Sequence, residues 1–285
     1  MTLRRALIRA LDRPGGRALL ALAVNRLVRR AAPDVEVSFH RGMWVHREHG
    51  ATFVDSPTLD YHPGDFCHWS HELSRLLAEA ADHWLHFYHP QPGDIILDIG
   101  AGKGEDTIAF SRAVGPTGKV IAIEAHPDTF RCLRLFCEWN HLANVQPMHL
   151  AVTAGSGHVA IETGCAWQAN RITGGPAKCT ACVPGFPLDK LIAHANLTRI
   201  DFLKMNIEGA EADAIRGMQQ TFRITRALCI SCHDFRANQG HGEFFRTKAV
   251  VEQAVAQAGF RILPRDHDPR PYIADQVNAI RATIS

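Results

Sequence analysis

The sequence predicts an α/β fold built on a doubly wound, mostly parallel sheet, with an extension in front of it. Three observations carry this expectation. Ile95, Ile96 and Leu97 form a short apolar run, as expected of a strand buried on both faces, and Asp98 closes it. Gly100, Gly102 and Gly104 then fall at alternate positions, and a helical stretch from Glu105 to Val114 follows, so strand, glycine turn and helix open a nucleotide-binding unit. From there strand and helix patterns alternate along the chain, with no internal repeat.

The glycine spacing discriminates between ligands. A dinucleotide fingerprint would place its third glycine at position 105, which is Glu105; a carboxylate there suits a helix N-terminus but repels a pyrophosphate. The pattern D-x-G-x-G-x-G resembles the S-adenosylmethionine (SAM) loop of class I methyltransferases, whose ligand carries no phosphate and ends in a zwitterion. A second strand, Lys119 to Glu124, follows a Gly-Pro-Thr-Gly turn and also ends in an acid, where a carboxylate can accept both ribose hydroxyls of an adenosine. SAM and NAD share that ribose, so Glu124 alone leaves both open and Glu105 favours SAM. The expected cofactor-binding set is Asp98, Gly100, Gly102, Gly104, Glu124 and Ala125.

Composition bounds the class. A chain of 285 residues with 46% hydrophobic content can bury a full core, as one large domain or a domain plus an extension. A net charge of +2 argues for neither a nucleic-acid binder nor an acidic-ligand specialist. No uninterrupted apolar run reaches the roughly 20 residues of a membrane span. Eight cysteines without a signal-peptide pattern point to reduced thiols and a cytoplasmic location, with membrane association left open by the basic N-terminus.

Residues 1–90 are expected to form the extension and 91–285 the cofactor-binding domain. Residues 2–31 are basic and helical in pattern, broken by Pro14-Gly15-Gly16; they suit peripheral contact with an anionic membrane or protein partner, or an arm packed on its own domain. Alternation from Val35 to Val54 predicts a β-hairpin turning near Arg41-Gly42. Residues 55–70 read as loop, and His71 to Tyr88 as a helix that could form a lid over the cofactor. The segment is rich in histidine; His83 and His86 have the helical spacing of a metal pair, although lone surface histidines are commoner.

Beyond the second strand, a helix starts at Pro127, and strands are expected at Val145–Val152, Ser156–Glu162, Ile200–Ile207 and Ala227–Ser231. Residues 163–178 read as loop and Lys178–Val183 as extended. Helices are expected at Ala210–Met218 and Thr247–Ala258, and Phe260–Leu263 with Tyr272–Ile280 as a closing antiparallel pair. Cys179/Cys182 and Cys229/Cys232 have zinc-like spacing, but residues three apart on a strand point to opposite faces, so these cysteines read as small buried apolar residues.

The chemistry gathers at strand ends. Asp201 to Glu211 runs from a strand into Asn206, Glu208 and Glu211, and the fifth strand ends in Cys232-His233-Asp234. Doubly wound sheets bind ligands at that edge. His233 has the pKa range of a general base, with Asp234 to orient it and Glu208 beside it as the catalytic group. Alternatively Asn206, Glu208 and Asp234 could hold Mg²⁺ through oxygen ligands. A structural His-Asp pair with Glu208 and Glu211 capping a helix is the non-catalytic reading.

From about Gly93 to His233 the chain resembles the FkbM family of SAM-dependent methyltransferases. The resemblance rests on Leu-Asp-Ile-Gly-Ala-Gly, Ile-Glu-Ala-His-Pro, Phe-Pro-Leu-Asp-Lys-Leu and Lys-Met-Asn-Ile-Glu-Gly-Ala-Glu. It implies the seven-stranded class I sheet, SAM as cofactor, and O-methylation of a sugar or natural-product hydroxyl, so the expected partner is a small-molecule or glycan acceptor rather than nucleic acid. Many members carry Asp where this chain has Asn206. The alternatives are a non-catalytic SAM- or nucleotide-binding regulatory module and an NAD-dependent oxidoreductase.

Overall fold

A computed structural model describes residue 8 and residues 10–58, 72–162 and 180–281. The start of the basic arm, the histidines at 62, 68 and 71, the 163–178 loop and Cys179 lie outside the described residues.

Helix α1 (Arg17–Ala31) follows the Pro14-Gly15-Gly16 break, and its Leu20, Val24 and Val28 recur at four-residue spacing and bury one stripe against Val35, Val37 and Trp44. The alternating segment forms three antiparallel strands rather than the expected two: β1 (Glu36–His40), β2 (Met43–Glu48) and β3 (Ala51–Asp55). A second tight turn at His49-Gly50, both at positive φ, folds the third strand back. The free edge of β3 meets Asn140, whose side chain accepts from Thr52 N at 2.8 Å and donates to Thr52 O at 2.7 Å. Phe53 packs on Phe136, with ring centroids 5.9 Å apart. Next comes α2 (Glu72–His83), whose Leu73, Leu76 and Ala80 are buried.

The core then follows in order: β4 (Ile95–Ile99), α3 (Glu105–Val114), β5 (Lys119–Glu124), α4 (Pro127–Trp139), β6 (Val145–His149), β7 (Ala151–Val152), β8 (Gly157–Glu162), β9 (Thr180–Phe186), α5 (Leu188–His194), β10 (Ile200–Met205), α6 (Glu211–Ala214), α7 (Gln219–Ile224), β11 (Thr225–Ser231), α8 (Asp234–Asn238), α9 (Lys248–Gln257), β12 (Phe260–Ile262), α10 (Pro271–Ala274) and β13 (Gln276–Arg281). Seven strands form the central sheet in the order β12-β13-β11-β10-β4-β5-β6. β13 alone runs antiparallel, to β11 and β12, so the sheet is doubly wound and mostly parallel, as expected. Every residue of β10 is buried, because helices cover both faces.

The strand expected over Val145–Val152 is divided at Leu150. Its second part, β7, leaves the main sheet and pairs with β9, which pairs with β8 in a separate three-stranded sheet. That turn puts Leu150, Ala151 and Val152 across the ends of β4 and β5. The helix expected at 210–218 is α6 followed by a tighter 3-10 turn at Ile215–Gly217, and residues 271–274 form α10 ahead of β13. The parallel strands all end at one edge. The strand order reverses at β4, with β5 on one side and β10 on the other, and this opens the crevice where such folds bind ligands.

Candidate active site

The floor of the crevice is a buried ion pair. Asp98, fully buried, accepts from Thr107 Oγ1 at 2.6 Å and from Lys204 Nζ at 2.9 Å. Lys204 also donates to Gly100 O at 2.8 Å and lies 3.5 Å from Asp106. Burial alone would drive the proton off Lys204, but Asp98 and Asp106 outweigh it and hold the ammonium form. The glycine turn above is fixed from three sides. Gly100 N and Ala101 N donate to Ile123 O, and Gly102 N donates to Glu124 Oε2 at 3.0 Å. Gly100 stands at φ +72, and a Cβ there would sit 1.9 Å from Asn206 O, so only glycine lets the loop after β10 close on the turn. Lys103, in the same turn, bonds Asp55 of β3 at 2.5 Å, which ties the extension to it.

A first cavity of about 300 Å³ opens beside this turn, within the range of small-molecule sites. Gly100, Gly102, Glu124, Ala125 and Asn206 line it together with the apolar Leu150, Val152 and Ile161. Glu124 ends β5 with one carboxylate oxygen on Gly102 N and the other on His126 N at 2.8 Å. Burial raises its pKa to about 7 against the opposing effect of those two amides. His126 caps α4: its Nδ1 accepts from Thr129, and its buried Nε2 has no protein partner.

A second cavity, about 480 Å³, adjoins the first, and Asn206 and Glu208 border both. His233 faces it from the end of β11, with Nε2 3.5 Å from Glu208 Oε1 and Nδ1 3.2 Å from Glu211 Oε1, off the line of a hydrogen bond. Burial favours the neutral ring, but Glu208 and Glu211 outweigh it and raise its pKa to about 9. Glu208, held at φ +56, also pairs with Arg236, while Glu211 accepts from the amides of Ile207 and Gly209. His83, Trp84, Phe235 and Tyr272 add aromatic wall, and Gln276 brings a buried side-chain oxygen without a protein partner.

The family model for "Methyltransferase FkbM domain" matches residues 98–262, from the acid that precedes the glycine turn to the end of β12. This chain belongs to the FkbM methyltransferase family. Its sheet is that of the class I, SAM-dependent methyltransferases, and the cavity beside the glycine turn fits SAM: it offers the Glu124 carboxylate, the glycines of the turn and an apolar wall. Two curated relatives match short stretches. A 23S rRNA (uracil(1939)-C(5))-methyltransferase RlmD from Hahella chejuensis is 30% identical over 89 residues, 31% of this chain and 19% of that protein. A tRNA (adenine(58)-N(1))-methyltransferase catalytic subunit TRM61 from Yarrowia lipolytica is 36% identical over 59 residues, 21% of this chain and 15% of that protein. The chain thus spans less than a fifth of the length of either. Among solved structures, a methyltransferase FkbM from Methylobacillus flagellatus is similar at 15% identity and TM-score 0.46, over 74% of this chain and 60% of that one. A fibrillarin from Aeropyrum pernix, solved with natively bound SAM, is similar at 15% identity and TM-score 0.43, over 86% and 99%.

Within this FkbM domain, the structure sorts the expected site residues. Gly100, Gly102, Glu124 and Ala125 line the first cavity. Asp98 does not, because its carboxylate is taken by Lys204 and Thr107 beneath the turn. Gly104 does not either: a Cβ there would meet Phe136 at 2.6 Å, so this glycine serves packing. His233 and Glu208 come together as expected. Asp234 turns away, because its neighbour His233 already faces the cavity and the first amides of α9 need an acceptor; it accepts from Thr247 N and Lys248 N at 2.9 Å each. Glu211 takes the place beside His233 that was expected for Asp234.

The set proposed for Mg²⁺ does not fit a hard cation. Glu208 is paired with Arg236, and Asp234 is turned to the backbone of α9, so Asn206 has no carboxylate to join it. Among the described residues no group of three or more His, Cys, Asp or Glu is placed to hold a metal. His86 lies 4.0 Å from Asp82 and packs edge-on against Phe87, while His83 packs edge-on against Tyr272. Cys229 and Cys232 are fully buried, with burial raising both thiol pKa values. The helix α2 is not a lid over the cofactor: its core packs with Phe110 and Ile96, and its end brings His83 and Trp84 to the second cavity.

Sequence reasoning missed Lys204, Glu211 as the partner of His233, Arg236, His126 and the wall from β7 and β8. A signal existed for Lys204, since a lysine inside the apolar run Phe202-Leu203-Lys204-Met205 must find a buried anion.

Proposed function

We propose that this protein transfers a methyl group from SAM to a hydroxyl of a sugar or natural-product acceptor. The observation that carries the reading is the meeting of two cavities at Asn206 and Glu208, with His233 facing the second. Bound SAM supplies an electrophilic methyl carbon on a sulfonium. Glu124 accepts the ribose hydroxyls, carbonyls of the glycine turn accept from the ammonium of the amino-acid end, and Leu150, Val152 and Ile161 cover the base. Methyl transfer is an in-line displacement, so fixing the acceptor oxygen against the methyl dominates the rate.

The second cavity suits a hydroxylated acceptor. Gln276 and Asn206 bring polar side chains to its lining. Trp84, Phe235 and Tyr272 give it aromatic lining for a ring. In its neutral form His233 keeps Nδ1–H toward Glu211 and presents Nε2 to take the hydroxyl proton. No step needs Mg²⁺. A net charge of +2 supports a small-molecule or glycan acceptor over nucleic acid. A cytoplasmic setting suits the free cysteines, of which Cys132, Cys137, Cys229 and Cys232 are buried.

Incubation with methyl-labelled SAM and a panel of sugars and hydroxylated natural products tests the reading. Label should enter an ether that resists mild base; label in nitrogen or carbon positions, or no transfer to any hydroxyl, would overturn it. The cofactor half is tested separately. Glu124→Ala should weaken S-adenosylhomocysteine binding by about 1.5–3 kcal/mol, measured by calorimetry. Because the ribose binds the ionised carboxylate and the folded pKa is about 7, affinity should fall up to about tenfold per unit as pH drops below 7. A flat pH dependence would remove Glu124 from the ribose.

A further inference from the structure

The outward face of α1 is built unlike the surface of an ordinary packed helix. Leu20, Val24 and Val28 satisfy its buried stripe, and Asn25 pins its orientation by donating to Val37 O and accepting from Val37 N, both at 2.7 Å. The opposite arc should then be polar. Instead Leu19 and Leu22 stand 63% and 67% exposed there among exposed Arg26, Arg29 and Arg30, and Leu27, on the margin of the buried stripe, is 53% exposed. Arg17 is spent internally on Asp12 and on the Phe39 ring, whereas these three arginines form no ion pair among the described residues. No acid stands in the first turn of the helix.

We propose that this face of α1 docks on lipid bilayers with anionic headgroups, lying in the interface. The leucines enter the boundary between headgroups and acyl chains, and the arginine stems lie along the same apolar surface while their guanidinium groups pair with lipid phosphates. Charge complementarity selects this occupant. An apolar protein groove would satisfy the leucines but leave three guanidinium groups idle, and a second copy would bring like charges together. No described helix is long and apolar enough to cross a membrane, so the contact is peripheral.

Sedimentation of the full chain with vesicles tests the proposal. Binding is expected to phosphatidylcholine vesicles doped with phosphatidylglycerol and not to phosphatidylcholine alone, and it should weaken with salt as the Debye length shortens to about 8 Å. The triple change Arg26→Gln, Arg29→Gln and Arg30→Gln should lower partitioning roughly a hundredfold. Leu19→Gln, Leu22→Gln and Leu27→Gln together should abolish it at any salt. These side chains are exposed, so unchanged S-adenosylhomocysteine binding will confirm that the variants fold; should one fail, the salt and lipid dependence of the wild type still decides. Absence of binding to anionic vesicles at low salt, equal binding to neutral ones, or wild-type partitioning of either folded variant would overturn the proposal. So would concentration-dependent dimerisation that the leucine changes abolish in a chain that ignores vesicles.

Discussion

Replacing His233 with alanine should lower turnover by about 10²–10⁴-fold while S-adenosylhomocysteine affinity stays near normal. The ring faces the second cavity, and its neighbours set when it can act. Glu208 and Glu211 hold its pKa at about 9, so at neutral pH most of the enzyme carries imidazolium, which has no lone pair to offer. The rate in wild type should therefore climb with pH and level off above about 9. Glu208→Gln removes one of the two anions and should move the rising limb toward acid, an effect that a merely structural histidine would not produce. The linkage has a stability consequence of definite sign. A folded pKa above the usual 6.5 stabilises the protein fully below pH 6.5, and that contribution is lost as pH rises through about 9. A near-normal rate in folded His233→Ala, or a pH-independent wild type, would rule out the base. Activity in EDTA is expected to be full, since the donor set around Glu208 does not fit a divalent ion.

Lys204→Met should destabilise the fold by about 3–5 kcal/mol, the usual cost of leaving a buried charge alone. Asp98 is fully buried, and Lys204 is its counter-ion and the donor to Gly100 O. Without the ammonium group, Asp98 must bind a proton or draw water under the glycine turn, and cofactor affinity should fall with stability. Removing both charges is expected to cost less than removing one: Asp98→Leu with Lys204→Met should recover most of the loss, because a paired apolar replacement strands no ion. Urea denaturation of the three chains measures this. A loss below about 1 kcal/mol in the single variant would mean that Asp98 finds another partner.

By itself the sequence determined the elements whose signal is local. The run Ile95–Leu97, the glycines at 100, 102 and 104, and the acid ending each of the first two core strands needed only neighbouring residues to be read, and together they fixed the doubly wound sheet and the cofactor edge. Family membership followed from the same motifs. Pairings between distant positions belong to the tertiary structure. Asp98 looked like a ligand because it ends a strand beside the glycines, but Lys204, more than a hundred residues later, lies in the next strand and claims it. Asp234 looked like the partner of His233 because it follows it, but it opens α8 and the first amides of α9 draw its carboxylate off. The turn at Leu150 that carries β7 out of the main sheet has no local signature either; it is set by pairing with β9. A buried charge or an open amide is satisfied by whatever the fold brings within about 3 Å, and proximity along the chain does not decide which group that is.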